Sequence, residues 1–100
     1  MDEQAKQIAR LLKVLANENR LFILCALIRG PQNVSGLCEK LPHITQSALS
    51  QHLGLMKSHG ILGNTKSGQT VTYFIADHRV EEVIAVLQKY YCGKKEEGGA

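Results

Sequence analysis

The chain is short of negative charge in a particular place. It has nine acidic residues, yet none falls between Lys40 and Ala76; the acids run up to Glu39 and resume at Asp77. Inside that gap Lys40, Lys57 and Lys66 are basic, and His43, His52 and His59 are protonatable. A surface without carboxylates lets phosphates approach without like-charge repulsion. The whole-chain balance, 12 basic against 9 acidic residues, is only +3 and defines no partner, so the distribution carries the signal. A chance gap in a short chain is the plain alternative.

A long apolar run is missing as well. The longest, residues 21–28, is far short of a bilayer span, and the N-terminus is a polar amphipathic stretch without a cleavage site. A soluble, cytoplasmic protein with no membrane contact is the expectation. Cysteine is sparse: Cys25, Cys38 and Cys92. Three thiols in a reducing compartment make no disulfide framework, and serve as packing residues, metal ligands or redox sensors. There is no nucleophile–base pair, no phosphate-binding loop and no internal repeat. His43, His59 and His78 show no i, i+4 pairing for zinc. Neither an enzyme nor a cofactor is expected.

What is present reads as a mainly α domain over residues 1–92 with a charged, Gly-rich, flexible tail over 93–100. A 44% hydrophobic content suits one globular domain of 100 residues. Residues 5–16 place Ile8, Leu11, Leu12 and Leu15 at helical spacing. Asn17 caps a second helix, 18–29, apolar nearly all round and so expected at the centre; Gly30-Pro31 ends it. A short helix, 34–41, stops at Pro42. Thr45 then caps a helix with Leu49, Leu53 and Met56 on one side and Gln46, Ser47, Ser50 and Gln51 between them. Such a face offers donors and acceptors to base edges in a major groove. Residues 61–66 and 69–75, joined by Ser67-Gly68, form a hairpin. Asp77 caps a last helix carrying Val80, Val83, Ile84, Leu87 and Tyr91, widened by Val86 and Tyr90. So apolar a terminal helix, with the first one, is expected to pair with a second copy in a twofold dimer. The architecture predicted is a winged helix-turn-helix of four helices, a hairpin and a fifth helix.

Several stretches resemble the ArsR/SmtB winged-helix repressors. Leu15-Ala16-Asn17-Glu18-Asn19-Arg20-Leu21-Phe22-Ile23-Leu24 looks like the entry to their second helix. Gln46-Ser47-Ala48-Leu49-Ser50-Gln51-His52-Leu53 resembles their recognition helix, and Gly68-Gln69-Thr70-Val71-Thr72-Tyr73-Phe74 their wing. The match spans residues 8–92 in order, and implies a dimeric repressor that leaves its operator when an inducer arrives. The arsenic-sensing branch carries paired cysteines where this chain reads Asn33-Val34-Ser35-Gly36-Leu37. The zinc-sensing branch uses four ligands on the last helix; here the positions are Asp77, Arg79, Tyr90 and Gly93, which do not support a metal. One cysteine in the second helix and one closing the last resembles the BigR, SqrR and HlyU-type repressors. These answer persulfides, polysulfides or oxidants by linking two thiols through a disulfide or a longer sulfur chain.

By that resemblance Cys25 and Cys92 are the sensing pair. By residue chemistry alone Cys25, on the Leu21/Leu24/Ile28 face, reads equally as a small buried hydrophobe. Cys38 reads as filler between helices, although a trigonal As(III) site from Cys25, Cys38 and Cys92 stays open. For DNA, Ser47, Ser50 and Gln51 are candidates for base or phosphate contact, with Gln51 suited to adenine. Gln46 would meet a phosphate at the helix start, and His52 either meets one or is simply exposed. Lys66 and Gln69 flank the hairpin tip and reach the backbone or minor groove. First-turn solubilising residues are the plain reading of Gln46 and Ser47. A dimer presents two such helices about 34 Å apart to a near-palindromic double-stranded operator. The remaining alternatives are a repressor answering a thiophilic metal, and a winged-helix module for protein association.

Overall fold

The structure, a computed structural model, describes residues 2–92, Cys92 through its backbone alone. The expected flexible tail, 93–100, lies outside the described residues. Helices α1 (Asp2–Leu15), α2 (Glu18–Leu27), α3 (Val34–Lys40), α4 (Gln46–Ser58) and α5 (His78–Leu87) alternate with strands β1 (Gln32–Asn33), β2 (Leu62–Ser67) and β3 (Thr70–Ile75). A π-helical turn, Gln88–Cys92, continues from α5.

Short polar side chains set the helix starts. Asn17, Asn33, Thr45 and Asp77 each hold extended backbone and accept from an N–H of the first turn they cap. Thr45 Oγ1, for example, lies 3.1 Å from the Ala48 nitrogen. Each satisfies a donor that the helix itself leaves unpaired. Asn17, Thr45 and Asp77 cap as the sequence predicts; the Asn33 cap was not foreseen.

One core collects buried apolar side chains from α2, α3, α4 and α5 and from the last turn of α1. Ile23, Leu24 and Leu27 of α2 meet Leu37 of α3, Leu49, Leu53 and Met56 of α4, Ile61 and Leu62 at the entry to β2, and Val80 and Ile84 of α5. The expected central helix is central on one side only. Phe22 stays 44% exposed, its ring edge-on to His43 with centroids 4.9 Å apart. Helix α1 buries just Val14 and Leu15 and leaves Ile8 and Leu12 about half exposed.

Three expectations need correction. The sheet has three strands in the order β1-β3-β2, because Gln32 and Asn33 pair with Tyr73 and Thr72 on the free edge of β3. The hairpin loop is Gly68-Gln69 rather than Ser67-Gly68, since Ser67 pairs with Thr70. Gly68 takes φ +62° while Gln69 does not go positive, the pattern of a II′ turn with glycine first. The second helix ends at Leu27, short of Arg29. Gly63, opposite Phe74, has no side chain because the ring occupies that space: a Cβ there would sit 2.6 Å from Phe74 Cζ.

Candidate nucleic-acid interface

Helix α4 separates its two faces cleanly. Leu49, Leu53 and Met56 are at most 1% exposed. Gln46, Ser47, Ser50 and Gln51 are all exposed, and at i, i+3 and i+4 spacing Ser47, Ser50 and Gln51 share one face. Gln46 and Ser47 open the helix, where unpaired N–H groups project beside them. The wing brings its own exposed set. Thr65, Lys66, Ser67, Gly68, Gln69 and Thr70 are all open to solvent, with Lys66 paired to Val71 two positions from the tip and Gln69 in the tip itself.

The structure adds residues the sequence reading missed. Asn33 and Ser35 at the start of α3 line a crevice with Gln69, Thr70 and Val71, so the wing tip and α3 form a continuous polar border. No periodicity announces a two-residue strand, and that strand is what puts α3 beside the wing.

His52 differs from its neighbours. It is half-buried, and its Nδ1 accepts a hydrogen bond of 3.3 Å from Arg20 Nε. Burial lowers its pKa, and the adjacent guanidinium lowers it further. A neutral ring with its proton on Nε2 fits that bond. Asp77 is held by Arg79 through Nε to Oδ1 at 3.0 Å and Nη2 to Oδ2 at 2.6 Å. Those hydrogen bonds hold its carboxyl below the usual carboxylate range. Among the described residues no three His, Cys, Asp or Glu side chains gather as a metal site.

Cys25 is half-buried on the wall of an apolar cavity of about 320 Å³, lined with Leu21, Ile84, Leu87, Gln88 and Tyr91. Gln88 Nε2 reaches the Cys25 carbonyl at 3.4 Å, tying the π turn to α2. Cys92 ends that turn; its side chain lies outside the described residues. Cys38 packs partly buried against the core and is not among the residues that line the Cys25 cavity.

Two helices, α3 and α4, joined by a short turn and followed by a β-hairpin carrying an exposed tip, define a winged helix-turn-helix. Residues 17–62 match the family described as "Bacterial regulatory protein, arsR family". Transcriptional activator HlyU of Vibrio cholerae is 38% identical over 92% of this chain and 84% of its own length. The biofilm growth-associated repressor of Agrobacterium fabrum is 33% identical over 96% of this chain and 81% of its own length. The solved HlyU structure from V. cholerae superposes with a TM-score of 0.86, covering 92% of this chain and 99% of that one, and reduced HlyU gives the same score. A homodimeric winged helix-turn-helix DNA-binding domain from Mycobacterium bovis, 28% identical, superposes at 0.76 over 96% of this chain and 88% of its own. The chain belongs to the ArsR family and is a transcriptional regulator rather than an enzyme. No helix among the described residues is long and apolar enough to cross a membrane.

Proposed function

We propose that the protein is a cytoplasmic, dimeric repressor that binds a near-palindromic DNA operator and is released by thiol chemistry at Cys25 and Cys92. The observation that carries the DNA half is the exposed amide and hydroxyl face of α4 together with an exposed wing tip, both within a stretch lacking any carboxylate. Ser47, Ser50 and Gln51 read base edges or phosphates, Gln46 meets a phosphate, and Lys66 and Gln69 reach the backbone or minor groove. His52 faces Arg20, so any phosphate contact it makes is through Nε2.

The thiol half is supported by the proximity of the π turn to Cys25. Tyr91, the residue before Cys92, lines the Cys25 cavity. The Cys25 thiolate attacks the outer sulfur of a persulfide R–S–SH, forming Cys25–S–SH and releasing R–S⁻. The Cys92 thiolate then attacks the Cys25 sulfur, forming the Cys25–Cys92 disulfide and expelling HS⁻. A peroxide reaches the same product through a sulfenic acid, with water lost as Cys92 resolves it. The link ties α2 to the end of the π turn that continues α5, and a coupling of about 1–3 kcal/mol weakens operator binding roughly 5- to 150-fold.

Peptide mapping by mass spectrometry after glutathione persulfide, with peroxide in parallel, tests this, read beside operator affinity. A Cys25–Cys92 crosslink formed as affinity falls supports the switch. Cys25 unmodified under both reagents removes it and directs the search to thiophilic metals. Failure to bind any promoter fragment at moderate salt, with Lys66→Ala making no difference, points instead to a protein-association module.

A further inference from the structure

Helix α1 packs most closely on the rest of the protomer toward its C-terminal end, where Val14 and Leu15 are buried and Leu11 is partly buried against the core. Its apolar residues Ile8 and Leu12 stay exposed, and only the last turn, through Val14 and Leu15, is buried. The backbone carbonyls of that turn have no partners within the helix and must find others. Leu12 O accepts from Ala16 N at 2.9 Å and Leu15 O from Asn17 N at 2.8 Å. Val14 O accepts from Arg20 Nη1 at 2.8 Å.

Arg20 does more than close that helix end. Its own N–H is fixed by the Asn17 cap at 3.1 Å, which sets where the side chain leaves α2. From there one guanidinium reaches Val14 O in α1 and His52 Nδ1 in the middle of α4. The planar fork holds its donors at fixed angles, so two acceptors bound to it are oriented relative to each other. A lysine ammonium on a flexible stem imposes no such angle. His52 sits at the edge of the exposed α4 face, next to Gln51.

We propose that Arg20 is a positioning residue that fixes the angle between α1 and the recognition helix α4, and so the spacing of the two recognition helices in a dimer. The inference rests on the reading of a DNA-binding dimer joined through α1 and α5. Where α1 pairs with its copy, any rotation of α4 against α1 is doubled across the twofold axis. Two half-sites at a fixed spacing register that error, while a single half-site does not.

The test has an arm without DNA and an arm with it. Residual dipolar couplings of the α1 and α4 amides report the interhelix angle in the wild type, Arg20→Ala and Arg20→Lys. The ¹⁵N shift of His52 Nδ1 reports the hydrogen bond. Fluorescence anisotropy then compares a palindrome, selected by the wild type from random DNA, with its isolated half-site. The expected result is a changed or broadened angle, a shifted Nδ1 signal, and palindrome affinity down about tenfold with half-site affinity within about twofold. Arg20→Lys, which keeps the charge and a bond to Val14 O, gives a smaller loss in the same direction and guards against a misfolded Arg20→Ala. His52→Ala reproduces the palindrome loss, and adding Arg20→Ala to it costs nothing further. An unchanged angle in both Arg20 variants, a parallel loss on the half-site, or additive losses overturns the proposal. If the wild type selects no DNA, the DNA-binding reading fails, and an unaltered angle still overturns the role of Arg20 separately.

Discussion

Helices α1 and α4 are nearly equal in length, 14 and 13 residues, and both present a stripe of apolar side chains, yet the protomer treats them in opposite ways. In α4 the stripe is sealed, with Leu49 and Met56 at 0% exposure and a polar face turned outward. In α1 the stripe is open, with Ile8 54% and Leu12 51% exposed. Helix α5 repeats this: Val80 and Ile84 are buried while Val83, Val86 and Leu87 are over 40% exposed. The α4 stripe is therefore covered within one chain, whereas α1 and α5 carry apolar surface suited to a second copy. Stability on the sealed side comes from packing within the fold, while on the open side the proposed dimer would make it depend on concentration.

The largest effect comes from breaking the open side. Leu12→Asp combined with Val86→Asp is expected to convert dimer to monomer in sedimentation. It should also lower operator affinity about 10²- to 10⁴-fold, because the second half-site loses its tethered partner. Far-UV circular dichroism of the same variant should stay close to wild type. On the sealed side, Leu53→Ala is expected to cost about 2–5 kcal/mol in urea unfolding, since the side chain leaves a cavity beneath α4. A midpoint that depends on protein concentration for Leu12→Ala but not for the Leu53→Ala increment would sharpen the contrast.

Gln51→Ala removes polar recognition without touching the core. It should weaken operator binding by about 1–3 kcal/mol with unfolding unchanged, and lose discrimination at one base pair. Thr45→Ala, which strips the α4 cap, should cost about 1 kcal/mol in stability.

The smallest expected effect is in the pH dependence. His52 has a folded-state pKa below its ordinary 6.5, so the unfolded chain binds its proton more readily. Its contribution is complete above that value and is lost as pH falls through the lower folded one. Asp77, also lowered, keeps its contribution above 3.8 and loses it at more acid pH. Urea midpoints between pH 7.5 and 3 should therefore show two successive declines, and His52→Gln should remove the first while leaving the second.

Much of this arrangement was legible in the residue order. The Asn17, Thr45 and Asp77 caps, the buried stripe of α4 and the exposed hairpin all follow from local preference and period, which act over a few neighbours. The hairpin tip was misplaced by one residue, since only pairing of Ser67 with Thr70 decides which two residues turn. Strand β1 was missed altogether: two residues carry no pattern, and their conformation is imposed by Tyr73 and Thr72 across the sheet. Of the candidate site residues, those on the polar faces of α4 and the wing were found as exposed as expected. His52 was not distinguishable from them, because its partner is 32 positions away in the chain.

The sequence by itself determined where α2, α3, α4 and α5 begin, which side of α4 is apolar, and that residues 40–76 carry no negative charge. These properties are local, and the backbone periods of helix and strand convert them directly into faces. Tertiary structure alone decided that α3 borders the wing, that Gln88 meets Cys25, and that Arg20 joins α1 to α4. Each of these depends on segments distant in the chain, and their closeness is set by how the whole core packs rather than by any one segment's preference.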